Sequence, residues 1–269
     1  MSTYDLAIVG GGPAGLAAAI HGRARGKTVL LVSNEPTASP LSKAERVDNY
    51  PGMPGIGGKD MVETMLDQAI AMGVELKLGR VLNIMPMGKT NYLSIGSDMA
   101  EAGAVILATG VARAAKLPGE AELLGRGVSY CATCDGMLYR GKKVAVAGNA
   151  PNLKEEIEFL RNIGCEVIEV PLGGLKMLGE TKLEEVESKG ERIECDAVFL
   201  LRSTVAHADL LPGLELEDGH IKVDRRMRTS VPGVYAAGDC TGEPLQIAKA
   251  VGEGQMAAHC AITEWLDAQ

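Results

Sequence analysis

The run Gly10-Gly11-Gly12-Pro13-Ala14-Gly15 constrains this chain more than any other. It follows an apolar stretch, Asp5–Val9, and precedes Leu16–Arg25, which reads as a helix stopped by Gly26. Thr28–Val32 reads as the next strand. G-x-G-x-x-G between a strand and a helix is the turn of a dinucleotide-binding βαβ unit. Gly10 permits the tight turn, Gly12 lets the backbone approach a pyrophosphate, and Gly15 lets helix and strand pack closely. Pro13 and Ala14 complete the turn, and the phosphates would sit on the free N–H groups of the helix start. Glu35, just past the second strand, is placed to accept from a ribose hydroxyl.

The rest of the chain fits a water-soluble α/β protein with one large domain or two smaller ones: 269 residues, 46% of them hydrophobic, with 34 glycines. No apolar run approaches membrane-spanning length, and the N-terminus enters a strand without a basic region or cleavage site. A cytoplasmic protein is therefore expected. The net charge of −8 argues against nucleic acid and against attraction to anionic membranes. In a reducing compartment most of the six cysteines read as buried thiols, and a C-x-x-C reads as catalytic or metal-binding.

That C-x-x-C lies in Ser129-Tyr-Cys-Ala-Thr-Cys-Asp-Gly136. Cys131 and Cys134 can close a small disulfide, and the attacking thiol can be activated at a helix start. A zinc knuckle would need a second cysteine pair; Cys165 and Cys195 stand alone, and with four histidines a ligand set is hard to build, so no metal is expected. Asp135 is placed to shuttle the proton that thiol–disulfide exchange requires, although an aspartate there can also serve as a cap. Two further strands end in glycine motifs: Ala104–Gly110, closing on Ala108-Thr109-Gly110, and Val234–Asp239, closing on Gly238-Asp239.

In this order, the N-terminal glycine turn, Val47-Asp-Asn-Tyr-Pro-Gly52, the A-T-G, C-A-T-C-D-G and the late G-D resemble the low-molecular-weight thioredoxin reductases over nearly the whole chain. The resemblance implies FAD as cofactor, approached by Ala108, Thr109, Gly110, Gly238 and Asp239, with Asn49, Gln246 and Ile247 near the flavin. It implies thioredoxin as partner, a homodimer, Cys131 as the outer thiol that attacks thioredoxin, Cys134 as the thiol facing the flavin, and Asp135 as the acid.

The second half departs from that pattern. Lys143–Ala147, Asn152–Ile163 and Glu166–Val170 read as strand, helix and strand, so a second dinucleotide-type unit is expected to fold. Its turn, Gly148-Asn-Ala-Pro-Asn-Leu153, has Ala150 and Leu153 where the family has glycine and a small residue, and Pro151 removes a backbone N–H. The family's His-Arg-Arg after the second strand is Val170-Pro-Leu-Gly-Gly174 here, and its Gly-x-x-Pro-Asn is Ser203-Thr-Val-Ala-His207. Residues 148–200 carry six basic and twelve acidic side chains, a net −6 that repels a nucleotide phosphate. The scaffold is kept and the NADPH site is not. This combination resembles the ferredoxin-dependent flavin thioredoxin reductases, as do Ser39-Pro-Leu-Ser-Lys-Ala44 and Leu245–Gly254.

The expected fold is therefore α/β, with two domains of the flavin disulfide reductase type: a discontinuous, Rossmann-like FAD domain (1–113 and 206–269) and a reduced NAD(P)-binding-like domain (114–205) carrying the dithiol. The expected activity is reduction of thioredoxin with electrons from ferredoxin. Three other readings compete: an NADPH-dependent reductase with a divergent second domain, a deazaflavin-dependent one, and a redox sensor without turnover.

Overall fold

A computed structural model describes residues 2–111, 116–150, 153–202 and 207–268, and only the backbone of Ala38, Cys134, His207 and Ala208. Pro151, Asn152 and the 203–206 segment lie outside the described residues, as does the boundary expected at 113/114. The chain divides into two compact units, Met1–Ala112 with Ala206–Gln269, and Arg113–Val205. Among the described residues no helix is long and apolar enough to cross a membrane.

The first unit opens with β1 (Ser2–Val9), α1 (Pro13–Ala24) and β2 (Val29–Ser33). The helix starts at Pro13 rather than at Leu16, because proline's fixed φ and missing N–H suit the first helical position. Then come α2 (Gly58–Ala71), β3 (Glu75–Leu78), β4 (Val81–Met87), β5 (Thr90–Ile95) and β6 (Asp98–Leu107). The last strand stops at Leu107, before the A-T-G, which lies in the loop beyond it. The sheet runs β3-β2-β1-β6-β5-β4. The pairs β3–β2, β2–β1 and β1–β6 are parallel, whereas β4–β5–β6 is an antiparallel meander. Leu6–Val9 of β1 and Val29–Val32 of β2 read as continuous apolar runs because both faces are covered there.

The second unit holds α3 (Glu120–Leu123), β7 (Val128–Ser129), the short dithiol helix α4 (Ala132–Asp135), β8 (Lys143–Gly148), α5 (Leu153–Asn162) and β9 (Glu166–Glu169). An antiparallel sheet of β10 (Lys176–Leu178), β11 (Glu185–Ser188) and β12 (Glu191–Glu194) follows, then β13 (Ala197–Leu201). Its parallel sheet has the order β7-β13-β8-β9. In both units the strand order reverses beside the first strand of the βαβ element, β1 or β8. The crevice at such a switch point is where open α/β sheets bind ligands.

The chain then completes the first unit with α6 (His207–Leu210), the hairpin β14 (Leu216–Glu217) and β15 (His220–Ile221), β16 (Val234–Ala236) and α7 (Ile247–Cys260). Strand β16 pairs in parallel with the C-terminal end of β6, at Val105–Leu107. The N-terminal end of β6, Asp98–Ala102, pairs with β5. One core cluster joins Leu6 and Ile8 of β1, Leu16 of α1, Ile106 of β6, Tyr235 of β16 and Ala257 of α7.

Candidate active site

The turn after β1 is built so that side chains are excluded where backbones meet. Gly10 has φ +113°, and a Cβ there would lie 2.2 Å from the Ala108 carbonyl oxygen. A Cβ on Gly15 would lie 1.8 Å from the Gly10 oxygen. Gly12 differs: a Cβ there meets nothing within 4 Å, so its missing side chain leaves open space. Gly10 donates to Val32 O and Gly11 to Ser33 Oγ, which fixes the turn on β2. No side chain caps α1 at Gly12, and the first N–H groups of a helix have no intrahelical acceptor. Glu35 stands exposed just past β2 and accepts from Thr37 Oγ1 at 2.9 Å.

Three distant segments converge on this turn. Ala108 donates to Val9 O, and Ala237 to Leu107 O, so the ends of β1, β6 and β16 lie side by side. A Cβ on Gly238 would lie 2.8 Å from the Ala14 Cβ, and one on Gly254 of α7 would lie 2.0 Å from Ala14 O. Thr109 bonds the fully buried Cys240, and Gly110 has φ +69°. Asn49 Nδ2 donates to Gln246 Oε1 at 3.0 Å, joining the V-D-N-Y-P-G loop to the residue that precedes Ile247 and α7.

The Gly238–Gly242 turn is held by two side chains one helical turn apart on α7, Lys249 and Glu253. Glu253 Oε2 accepts from Gly238 N at 2.8 Å, from Thr241 Oγ1 at 2.9 Å and from Lys249 Nζ at 3.2 Å. Lys249 donates to Gly238 O at 3.1 Å and to Gly242 O at 2.7 Å. Asp239 is half-buried in this turn; burial pushes its carboxyl up, Lys249 pulls it down and Glu253 pushes it up again. Sequence reading passed over Lys249 and Glu253. The readable signal was a Lys–Glu pair spaced i, i+4 just after a Gly-Asp.

In the second unit, Cys131 is buried and disulfide-bonded. Cys165, Cys195, Cys240 and Cys260 are free and buried, and burial pushes Cys195 and Cys240 up to about 11, which makes them inert. The Cys134 side chain lies outside the described residues. Asp135 Oδ2 accepts from Ser129 Oγ at 2.6 Å, and Ser129 Oγ accepts from Cys131 N at 3.1 Å. Ser129, which is almost fully buried, thus links the carboxyl to the backbone of the cysteine. On the other side Ala132 N donates to Glu156 Oε2 at 3.1 Å. Nothing in the sequence spacing singles out Ser129, because the link depends on how β7 hands the chain to α4.

The described part of the turn after β8 is tied to β13. Asn149 N and Ala150 N both donate to Leu201 O at 3.0 Å. Ala150 and Leu153 pack on the cluster of Ile157, Leu160 and Phe199. A Cβ on Gly148 would lie 2.1 Å from Leu201 O, so this glycine serves the contact with β13.

The family model for pyridine nucleotide-disulphide oxidoreductases matches residues 4–172 and 173–254. The chain is 34% identical to a thioredoxin reductase of Treponema pallidum over 97% of its own length and 96% of that protein. Among solved structures, a ferredoxin-flavin thioredoxin reductase from Clostridium acetobutylicum superposes with a TM-score of 0.90 at 39% identity, covering 100% of both chains. A thioredoxin reductase from Gloeobacter violaceus superposes with a TM-score of 0.83 at 31% identity, covering 99% of this chain and 95% of that one. The expected two-domain flavin disulfide reductase fold is thereby shown. The chain belongs to the pyridine nucleotide-disulphide oxidoreductase family and, within it, to the thioredoxin reductases, which are FAD-binding flavoproteins.

Proposed function

We propose that this enzyme reduces the disulfide of a thioredoxin with electrons from reduced ferredoxin, through FAD and a Cys131–Cys134 pair. The observation that carries the choice of donor is the turn after β8, whose described part is tied to β13. The N–H of Ala150, at the place Gly12 holds in the first turn, is given to Leu201 O, as is that of Asn149. The absence of arginine from Val170–Gly174 and the net −6 of residues 148–200 act in the same direction. So does the full-length match at 39% identity to a protein named for ferredoxin.

The residues of the first unit fit FAD. Gly12 leaves space beside an uncapped helix start, where the N–H groups suit a pyrophosphate. Asp239 presents a half-buried carboxyl beside that turn, where it can accept from a ribitol hydroxyl. Glu35 has the corresponding place for the ribose, and Pro13, Ala14, Ala108, Thr109, Gly110 and Gly238 form the surrounding backbone. Asn49, Gln246 and Ile247 border the flavin. Bound FAD supplies the step that turns single-electron delivery into two-electron reduction of a disulfide.

The chain's own residues do the rest. The Cys131 thiolate attacks one sulfur of thioredoxin's disulfide; that S–S bond breaks, and the leaving sulfur takes a proton from Asp135. Cys134 then gives its proton to the Asp135 carboxylate and attacks Cys131 Sγ; the Cys131–thioredoxin S–S bond breaks, thioredoxin's second sulfur leaves as a thiolate, and the Cys131–Cys134 bond is restored. Asp135 is held for this by Ser129. The exposed Met137 and Leu138, just past the dithiol, offer apolar surface to a protein substrate. The energetics run downhill: low-potential ferredoxins lie at roughly −400 mV and thioredoxin at about −270 mV, so two electrons release about 6 kcal/mol.

Two basic clusters could meet an acidic ferredoxin, Arg225-Arg226-Met-Arg228 and Lys43 with Arg46, but their arginines are largely neutralised. Arg226 pairs with Glu264, Arg228 with Glu264 and Asp224, and Arg46 with Asp48. No dock is assigned to them. A cytoplasmic setting agrees with the four free thiols, and a homodimer with the family resemblance; light scattering tests the latter. An NADPH-dependent reaction is the second reading, favoured by the match of residues 4–172 and 173–254 to the family model for pyridine nucleotide-disulphide oxidoreductases. The deciding experiment is anaerobic stopped-flow bleaching of the flavin by NADPH, NADH, a reduced deazaflavin and reduced ferredoxin, each followed by addition of thioredoxin. Fast bleaching by ferredoxin alone is expected. Fast bleaching by micromolar NADPH, followed by thioredoxin reduction, overturns the choice of donor.

A further inference from the structure

Helix α5 stands where a dinucleotide-binding unit presents its first turn to phosphate. Its first turn carries Glu155 and Glu156, and Glu156 accepts the N–H of Ala132, the residue after Cys131, at 3.1 Å. The apolar face of the same helix underlies the dithiol helix. Ala132 is fully buried in one cluster with Ile157 and Leu160. A Cβ on Gly136, just past α4, would lie 2.9 Å from Leu160 Cδ2 and 3.2 Å from Phe159 Cε1, so the chain needs glycine there to settle onto α5. The helix is thus kept although the turn before it is tied to β13.

A free N–H at a helix start ordinarily favours a neighbouring thiolate. Here that N–H is engaged by a carboxylate, whose own negative charge opposes a thiolate nearby. We infer that Glu156 is a positioning residue for the dithiol, seating its turn on α5 and disfavouring the Cys131 thiolate, and that α5 is retained for this work. A less acidic thiol is intrinsically the stronger nucleophile toward a disulfide, since nucleophilicity falls with thiol pKa. Among the described residues, the other titratable side chains near Cys131 include Asp135, which acts through Ser129, and two phenols. Tyr130 donates to Glu120, and the Tyr139 phenol is pushed up by burial and by Asp135. Lys154, Glu155 and Glu158 on α5 are exposed.

The inference rests on Cys131 as the outer thiol, and its test is read without turnover or any electron donor. In the FAD-loaded Cys134→Ser variant, alkylation of Cys131 by iodoacetamide is followed against pH by mass spectrometry. Adding Glu156→Gln keeps an acceptor for Ala132 N and removes the charge. The inflection is expected to move down by about half to one pH unit, with the rate at neutral pH rising about two- to fourfold. Glu156→Asp, which keeps the charge, is expected to stay near the parent profile, and Glu155→Gln to overlay it. An unmoved profile in Glu156→Gln, or an equal shift in Glu155→Gln, overturns the inference. If the outer-thiol reading itself were wrong, Cys134→Ser would trap no mixed disulfide with thioredoxin and Cys131→Ser would trap one, an outcome independent of the alkylation profile.

Discussion

Glu253 on α7 accepts the N–H of Gly238 at 2.8 Å, and Lys249, one turn earlier, donates to the carbonyl of the same glycine at 3.1 Å. The two side chains are 17% and 19% exposed, so each is left largely buried and unpaired if the other is removed. Glu253→Ala leaves the Gly238 N–H without its acceptor and the Lys249 ammonium, still bonded to Gly238 O and Gly242 O, without its countercharge. It is expected to weaken FAD binding about tenfold to a hundredfold, the range for an unsatisfied buried donor. Lys249→Ala is expected to act similarly, and the double variant to cost less than the sum, because the two share one network. Titration of FAD into the apoprotein measures this; unchanged affinity in both single variants would remove the pair from the cofactor site.

The glycines of the first turn are expected to separate folding from binding. Gly15→Ala places a Cβ 1.8 Å from the Gly10 oxygen and is expected to destabilise the unit by several kcal/mol or prevent folding. Gly12→Ala meets no protein atom within 4 Å and has an ordinary φ of −81°, so the apoprotein is expected to fold with a melting temperature near the parent's. Yet its methyl group occupies the space left for the cofactor, and FAD retention is expected to fall at least tenfold. Absorbance at flavin wavelengths after desalting, set beside thermal melting of both apoproteins, distinguishes the two. Full FAD retention in Gly12→Ala would count against a pyrophosphate at this turn.

The strand–turn–helix units were legible because their signals are local. An apolar run, a glycine turn and a helix lie within thirty residues in β1–α1–β2, and the same holds for β8–α5–β9. Helix α1 begins three residues before Leu16 because proline at a first helical position costs nothing, a placement the glycine turn itself hides. The divergence of the second turn was visible in Ala150 and Leu153, but what those residues do was not. Their N–H and side-chain partners, Leu201 and Phe199, come from β13, about fifty residues away. Ser129, Glu156 and Glu253 escaped for the same reason: each acts through a backbone N–H that only the folded chain brings within reach.

The 2.6 Å bond from Ser129 Oγ to Asp135 is expected to matter for proton delivery and not for cofactor binding. Ser129→Ala removes the donor that orients the carboxyl and leaves the Cys131 N–H without its acceptor. Because general acid catalysis contributes typically about 10²–10⁴-fold, loss of its orientation is expected to lower thioredoxin turnover by roughly tenfold. FAD content and the rate of flavin bleaching by donor are expected to stay at the parent level, since both belong to the other unit. Ser129→Thr, which keeps the hydroxyl, is expected to restore part of the turnover. Equal turnover in parent and Ser129→Ala would reduce the bond to a structural detail of α4.

Acid sensitivity of the second unit is expected to be traceable to Glu120. Its carboxylate is 1% exposed and accepts from Arg202 Nη1 at 2.9 Å and Nη2 at 2.7 Å, from Leu117 N at 2.7 Å and from Tyr130 OH at 2.9 Å. Leu117 lies just after residues 112–115 and Arg202 just before residues 203–206, so one ion pair ties the start of the unit to its end and to the neighbour of Cys131. Burial pushes the carboxyl up, but Arg202, the Leu117 N–H and the Tyr130 hydroxyl together hold it below its ordinary 4.5. A carboxyl depressed in the folded state contributes stability that is fully present above its unfolded value. That contribution is lost as pH falls from about 4.5 through the lower folded value. Glu120→Gln leaves Arg202 buried without its countercharge and is expected to cost about 3–5 kcal/mol at neutral pH. It is also expected to flatten the loss of stability below pH 4.5, because the titrating group is gone. Denaturant melts of parent and variant from pH 3 to pH 7 measure both effects; parallel acid slopes in the two proteins would place the titrating group elsewhere.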